Sequence, residues 1–269
     1  MPELPEVESI RRQLEPLLMG KKIISSVESS SPKFFQAKKA CDHVISRVDR
    51  RGKYLLIRLE KVSCKRDLVI HLGMTGSLQI GKPHTNEPHL RAQWTLEDGL
   101  CLLFRDIRMF GRVSVVNQGD YQSFPTLNLM GPEPFDPLLN SYDFYSSLAS
   151  SRQKIKTKLL SQRPIAGIGN IYADEALWRA RINPVIRRIS PERASSLLRS
   201  IQQVLLEALR YGGTTLRDYQ KPDGSFGRNQ NRLICYGKAG KPCQACKEKL
   251  QFRLVDQRST TWCPTCQKY

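Results

Sequence analysis

The 269-residue sequence has no apolar run long enough to span a bilayer, no internal repeat and no low-complexity tract. Its start does not resemble a secretory signal either, because Glu3, Glu6 and Glu8 interrupt it and no apolar segment of the right kind follows. These absences predict a soluble, cytoplasmic chain with no membrane partner. Acid is also scarce in the second half. Only eight of the 25 Asp and Glu lie in residues 151–269, which carry a net +15, while residues 1–150 carry only +3. So lopsided a basic half fits a polyanionic partner, of which nucleic acid is the commonest.

What is present is ordinary for a globular protein: 40% hydrophobic and 25% charged residues, on a chain long enough for two medium domains. Pro2 suits a first helical turn, where its missing N–H costs nothing, and Glu3, Glu6 and Glu8 complement the positive end of the helix dipole. Val7, Ile10, Leu14, Leu17 and Leu18 recur at helical spacing before Gly20, which predicts a helix over about residues 3–19. Residues 44–116 read as strands. Leu55, Ile57 and Leu59 alternate with Tyr54, Leu56 and Arg58, and Asp98-Gly99 is a turn pair that closes a hairpin. Short strands at this density predict a sandwich or barrel.

Three prolines in GPEPFDPLLN (131–140) mark a linker, after which the period becomes helical. In 190–213, Ser190 can cap, Pro191 enters the first turn, Leu198, Ile201, Leu205 and Leu209 form a stripe, and Gly212 ends it. A weaker helical pattern covers 143–161 and 170–180. The turn GIGN (167–170) allows close backbone approach, and Asn170 at a helix start could offer its side chain and amides to a phosphate; a plain helical hairpin with a solvated basic face explains it about as well.

Four of the eight cysteines fall as CQAC and CPTC: Cys243, Cys246, Cys263 and Cys266, with 16 residues between the pairs. Two thiolates three positions apart on a tight turn grip one face of a tetrahedral ion, and the second turn supplies the other face. One structural zinc ion is expected, since four thiolates leave no open coordination position. The alternative is a pair of disulfides, but Cys41, Cys64, Cys101 and Cys235 are scattered, as in a reducing compartment. Between the pairs, KLQFRLVDQRSTTW reads as two strands with Arg258 near the turn, suited either to a DNA groove or to plain solvation.

Together PELPEVE (2–8), RGKYL (51–55), HLGMTG (71–76), RDIRMFG (105–111), GPEP (131–134), GIGNIYADEALW (167–178) and QRSTTWCPTCQ (257–267) resemble the bacterial formamidopyrimidine-DNA glycosylases nearly end to end. The resemblance implies an α+β fold. It would comprise an N-terminal β-sandwich domain with its N-terminal helix (1–130), a linker (131–148), a helix-two-turn-helix domain (149–232) and a C-terminal β-hairpin zinc finger (233–269). It also implies a base-excision-repair enzyme, both DNA glycosylase and abasic-site lyase, working as a monomer on double-stranded DNA that contains an oxidised purine, associated with the bacterial nucleoid.

In that family the initiator methionine is removed. The freed amine of Pro2 then attacks C1′ of the damaged nucleotide, Glu3 is the acid/base group at the sugar, Glu6 supports both, and Lys53 reaches the sugar-phosphate. Met74, Arg108 and Phe110 match the residues that fill the hole left by the extruded nucleotide. Lys156, Asn170 and Arg258 match phosphate clamps, and His89 completes the DNA-contact set. The sequence departs from the common family pattern at Ile107, usually proline, at Met109, usually a second arginine, and at Thr157, often proline. The loop 217–236 lies where the family caps the flipped base. Two alternatives share the scaffold: an endonuclease VIII-like enzyme for oxidised pyrimidines, against which PELPEVE argues, and a catalytically silent lesion-binding protein, against which Pro2, Glu3, Glu6 and Lys53 argue.

Overall fold

The first helix, α1 (Leu4–Leu18), starts later than the spacing predicts, and the proline in its first turn is Pro5. Pro2 lies one residue before the N-cap, Glu3, and so outside the helix. The computed structural model describes residues 2–34, 36–62, 64–83 and 87–268; Met1, whose removal the resemblance implies, lies outside them. The chain divides into two compact units, Met1–Leu127 with Tyr211–Arg228, and Asn128–Arg210 with Asn229–Tyr269.

In the first unit, strands β1 (Ile23–Glu28), β2 (Val44–Arg51), β3 (Tyr54–Lys61), β4 (Cys64–His71), β5 (Ser77–Gly81), β6 (Leu90–Leu96), β7 (Cys101–Arg105) and β8 (Arg112–Asn117) form two four-stranded sheets, ordered β1-β6-β7-β5 and β2-β3-β4-β8. All neighbouring strands are antiparallel. Ile45, Val48, Leu55, Ile57, Leu68 and Ile70 of one sheet share a core with Leu78, Trp94, Leu102 and Phe104 of the other, and α1 adds Val7, Ile10, Leu14 and Leu18. Each such side chain contributes roughly 1.5–3 kcal/mol on burial, so the amphipathic pattern of α1 is explained by this core. The Trp94 indole, fully buried, donates to the Ala37 carbonyl at 3.1 Å. The β6–β7 hairpin closes at Asp98-Gly99 as expected, with Gly99 at φ 80°. Strand β3 is covered on both faces rather than one: Tyr54 and Leu56 are buried too, Tyr54 between His71 and the edge of Phe124. Strand β1, mostly exposed and reading IISSVE, gave no alternation to recognise.

After the short α2 (Pro125–Asn128), the second unit holds α3 (Ser141–Ala149), α4 (Ile155–Leu160), α5 (Asn170–Arg179) and α6 (Pro191–Arg210). The pattern over 143–161 is therefore two helices. The break has a backbone cause: the N–H groups of Ile155 and Lys156 donate to the carbonyls of Ile186 and Pro184 instead of to the preceding turn. Ser190 caps α6 by accepting from the Arg193 N–H, and the helix buries Leu197, Leu198, Ile201, Val204 and Leu205, with Leu209 only half-buried. Strands β9 (Gln251–Val255) and β10 (Arg258–Trp262) form a separate hairpin. Its two turn residues, Asp256 and Gln257, both take positive φ (46° and 63°), which matches the right-handed twist of the strands. Among the described residues no helix is long and apolar enough to cross a membrane.

Candidate active site and nucleic-acid interface

Two carboxylates follow Pro2 and are only 1% exposed each, Glu3 and Glu6. They hold one another in a reciprocal capping box: the Glu3 side chain accepts from the Glu6 backbone, and Glu6 Oε2 accepts from the Glu3 N–H at 2.7 Å. Glu6 Oε1 accepts from the Thr214 N–H at 2.6 Å, so the segment after α6 is fastened to the start of α1. Gly213 makes this possible, since a Cβ there would lie 2.8 Å from Glu6 Oε1. Further along the same segment Tyr219, buried, donates to the Gly212 carbonyl at 3.1 Å, and Asp223 accepts from the Gln13 amide at 2.8 Å. Pro2 is itself buried. A secondary amine placed before a helix N-terminus feels the positive end of the dipole, which disfavours its protonated form.

Lys53 sits in the two-residue turn between β2 and β3 and is 7% exposed, not a solvated strand end. Its neighbour is His71, whose pKa is pushed down to about 4 by burial and by the Lys53 ammonium. The Gly73 N–H donates to His71 Nδ1 at 3.3 Å, which leaves the proton on Nε2. His71 was not singled out from the sequence, although it opens HLGMTG. A histidine kept neutral by the fold while the unfolded chain protonates it near 6.5 stabilises the fold fully above pH 6.5 and loses that contribution as pH falls toward 4, by at most about 3 kcal/mol. His71→Gln is therefore expected to flatten the decline in melting temperature over this range; parallel wild-type and variant profiles would refute the assignment.

The apolar and basic residues expected at the DNA stack occupy two adjacent loops of the first unit. Met74 is 40% exposed and Phe110 49% exposed, and the Arg108 guanidinium lies 4.7 Å from the Phe110 ring centroid. His89, exposed at positive φ (73°), adjoins them through its carbonyl, which accepts from the Asp106 N–H. The departures from the family pattern acquire physical form here. Ile107 is exposed, whereas Met109, at φ 55°, packs its side chain against the core while its carbonyl accepts from Lys33 Nζ at 2.7 Å.

In the second unit Asn170 opens α5, and its amide donates to the Ser259 carbonyl and hydroxyl of β10 at 2.9 and 3.0 Å. Arg258 is exposed at the end of the hairpin turn. Lys156 faces inward and is 0% exposed. Its ammonium lies 2.6 Å from Asp174 Oδ1, and it donates to the Ser259 carbonyl and the Thr260 hydroxyl, each at 2.8 Å. Burial pushes the Asp174 carboxyl up to about 6 against the pull of Lys156. Asp174 Oδ2 also accepts from the Thr261 N–H at 2.9 Å. The next residue, Glu175, accepts from the N–H groups of Ile234, Cys235 and Tyr236. These two buried carboxylates went unnoticed in the sequence, where Asp-Glu inside a helix reads as a solvated pair. Thr157, where proline is frequent, donates its hydroxyl to Asp256 of the hairpin turn at 2.5 Å, and Lys154 pairs with the same carboxylate at 2.7 Å.

The sulfurs of Cys243, Cys246, Cys263 and Cys266 lie within 4.8 Å of one another and could hold a metal ion. Opposite pairs are 4.0 Å (Cys243, Cys266) and 3.4 Å (Cys246, Cys263) apart, either side of the about 3.8 Å that tetrahedral thiolates at zinc–sulfur bonding distance require. No disulfide joins any of the eight cysteines in the structure. Burial opposes ionisation of Cys243, but the N–H groups of Cys246 and Ala245 and the Trp178 indole bring its thiol down to about 6. Trp178, from the last turn of α5, donates to Cys243 Sγ at 3.4 Å and so joins the cluster to the helix that carries Asn170.

Comparison with known proteins agrees with this anatomy. Residues 1–113 match the model of the formamidopyrimidine-DNA glycosylase N-terminal domain, and residues 130–220 that of the formamidopyrimidine-DNA glycosylase H2TH domain. The chain is 44% identical to the formamidopyrimidine-DNA glycosylase of Thermus thermophilus over 99% of its own length and 98% of the relative's. It is 40% identical to that of Deinococcus radiodurans, covering 99% and 97%. Among solved structures, the MutM (Fpg) protein of Thermus thermophilus superposes with a TM-score of 0.90 at 43% identity, covering 99% and 98% of the two chains. A variant of Lactococcus lactis Fpg in complex with a Fapy-dG-containing DNA also gives 0.90, at 33% identity and full coverage of both. Two successive domain matches and near-complete alignment at this identity lead to one conclusion: the chain belongs to the formamidopyrimidine-DNA glycosylase family.

Proposed function

We propose that the protein is a bifunctional DNA glycosylase and abasic-site lyase of base excision repair that removes oxidised purines, 8-oxoguanine and formamidopyrimidines, from double-stranded DNA. The observation that carries this reading is the buried Pro2, Glu3 and Glu6 constellation at the start of α1. Once Met1 is removed, the Pro2 nitrogen attacks C1′ and the N-glycosidic bond breaks, its electron pair and a proton leaving with the base. Glu3 handles the proton at the opening sugar ring. The resulting iminium is an electron sink that acidifies the C2′ protons. Loss of one such proton expels the 3′ phosphate, and a second elimination expels the 5′ phosphate, leaving a one-nucleotide gap. Glu6 contributes by position: its bonds to the Glu3 and Thr214 N–H groups hold the first turn in register. Lys53, with neutral His71 beside it, engages the sugar-phosphate in this reading.

Met74, Arg108 and Phe110 occupy the space of the extruded nucleotide, while Asn170 and Arg258 address backbone phosphates. Lys156 supports them through the hairpin it holds. The four cysteines fit one structural zinc ion, which, bound, shapes the loops flanking the hairpin and takes no part in the chemistry.

Borohydride trapping tests the reading. A duplex with 8-oxoguanine opposite cytosine is expected to give a covalent adduct that maps to the Pro2-bearing peptide, whereas undamaged duplex gives none. No adduct, despite DNA binding and a confirmed free Pro2 terminus, would overturn the proposal. An adduct only with thymine glycol would transfer the protein to the oxidised-pyrimidine branch.

A further inference from the structure

The two loops proposed to fill the extruded nucleotide's space are distant in sequence yet in backbone contact. A Cβ on Gly73 would lie 2.4 Å from the Phe110 carbonyl carbon and 2.5 Å from the Gly111 nitrogen, so the loops touch wherever Gly73 has no side chain. Beside this contact Asp106, fully buried, uses both carboxylate oxygens: Oδ1 accepts from the Thr75 hydroxyl at 2.5 Å and Oδ2 from the Gly111 N–H at 2.6 Å. The Thr75 oxygen in turn accepts from the Arg108 N–H at 3.1 Å. One hydroxyl therefore donates to the root of one loop and accepts from its tip, while its own residue sits next to Met74. The Asp106 backbone is fixed as well, its N–H to the His89 carbonyl at 2.9 Å and its carbonyl by Arg91 Nε at 2.8 Å.

We infer that Thr75 and Asp106 are positioning residues that couple the two loops, so that Met74 and the Arg108-Phe110 pair enter the DNA stack as one preformed body. The inference rests on the proposed void-filling role of those three side chains. Its physical content is entropic. Two independent loops would each lose conformational freedom on insertion, whereas a braced pair has already lost it in the free protein. Thr75 suits this task because a hydroxyl is both donor and acceptor, and Asp106 because a carboxylate in the dry interior keeps two acceptors aimed in different directions.

Thr75→Val keeps the shape and removes both bonds; Thr75→Ser keeps the hydroxyl. Three rates are to be compared: unstacking of a 2-aminopurine next to 8-oxoguanine in a duplex, single-turnover excision from that duplex, and cleavage of a single strand carrying a preformed abasic site. Thr75→Val is expected to slow the first two roughly tenfold, the order set by losing one or two hydrogen bonds in the inserted state. Single-strand cleavage, which needs no void filling, stays unchanged, and Thr75→Ser restores wild-type rates. Equal slowing of all three rates, or no effect on any, overturns the coupling. Phe110→Ala separates the two levels of the argument. If it leaves unstacking unaltered, the void-filling reading itself fails; if it slows unstacking and Thr75→Val does not, only the coupling fails. Should Thr75→Val not fold, Asp106→Asn, which retains one of the two acceptor oxygens, takes its place with the same expected pattern.

Discussion

Glu3→Gln is expected to slow excision of 8-oxoguanine by roughly 10²–10⁴-fold, the usual worth of a positioned general acid or base, while sparing most strand cleavage at a preformed abasic site. The asymmetry follows from the geometry. The Glu3 side chain serves the fold as an acceptor for the Glu6 backbone N–H, and a glutamine oxygen can accept the same bond. Glu6 Oε2 bonds the Glu3 backbone N–H, which the substitution does not touch. The Pro2 nitrogen and its position before the helix dipole also survive, and Schiff-base formation with an existing aldehyde needs only that amine. What is lost is a group able to exchange a proton at the sugar while the base departs. Single-turnover rates on 8-oxoguanine and abasic duplexes, with melting temperature as a check on folding, decide it. Equal loss on both substrates would mean that Glu3 acts through the position of Pro2, and no loss on either would remove it from the chemistry.

The second large effect concerns the cysteine cluster. Stripping the metal with a chelator, or replacing half-buried Cys246 by serine, is expected to unfold the hairpin of β9 and β10, because binding a structural zinc contributes on the order of 10 kcal/mol or more to a small domain. Its own apolar packing is thin, since Phe252 and Leu254 of β9 are exposed and the buried remainder is the cysteine cluster with Leu250 and a few residues of β10, and its other ties are the polar contacts of Lys154, Lys156, Thr157, Asn170 and Asp174. Once released, the hairpin would take Ser259 away from Asn170 and strip Lys156 of the Ser259 carbonyl and the Thr260 hydroxyl, leaving a buried ammonium facing Asp174 alone. Charges so exposed to imperfect pairing draw in water, and the start of α5 should loosen with them. The measurements are zinc content, thermal melting and anisotropy of a labelled abasic-analogue duplex. Stoichiometric loss of metal with lowered melting and a binding loss of at least tenfold, about one good phosphate or hydrogen-bonded contact, is the expected outcome. Unchanged melting and affinity after metal loss would show that the hairpin stands without it.

Elements that depend on neighbouring residues were readable. The α1 stripe, the Asp98-Gly99 turn and the paired cysteines are built on spacings of two to four positions, which local backbone geometry turns into one helix face, one tight turn and two close pairs of thiols before any distant contact is made. The helical pattern over 143–161 misled because its periodicity is real, yet the carbonyls that capture Ile155 and Lys156 belong to residues about thirty positions on. Strand β1 escaped for the opposite reason: an exposed edge strand needs no apolar alternation, only a partner, and β6 supplies it. Within the candidate site, the motif residues were found because they match a family, but their settings were not. A lysine among lysines gives no sign that its ammonium will be enclosed by Asp174 and Thr260, the latter 104 residues away. Nor does an Asp-Glu pair announce that both carboxylates will turn inward.

By itself the sequence determined the α+β class, the four cysteines that cluster, the basic second half and the family, because composition, short spacing and matched motifs need no knowledge of what lies across the fold. Only the tertiary structure decided which charged groups are buried and whom they hold: Glu6 to Thr214, Lys156 to the hairpin, Asp106 to Thr75. The physical reason is that a charge enters the interior only where partners from other parts of the chain replace its water, and that replacement is a property of the assembled fold.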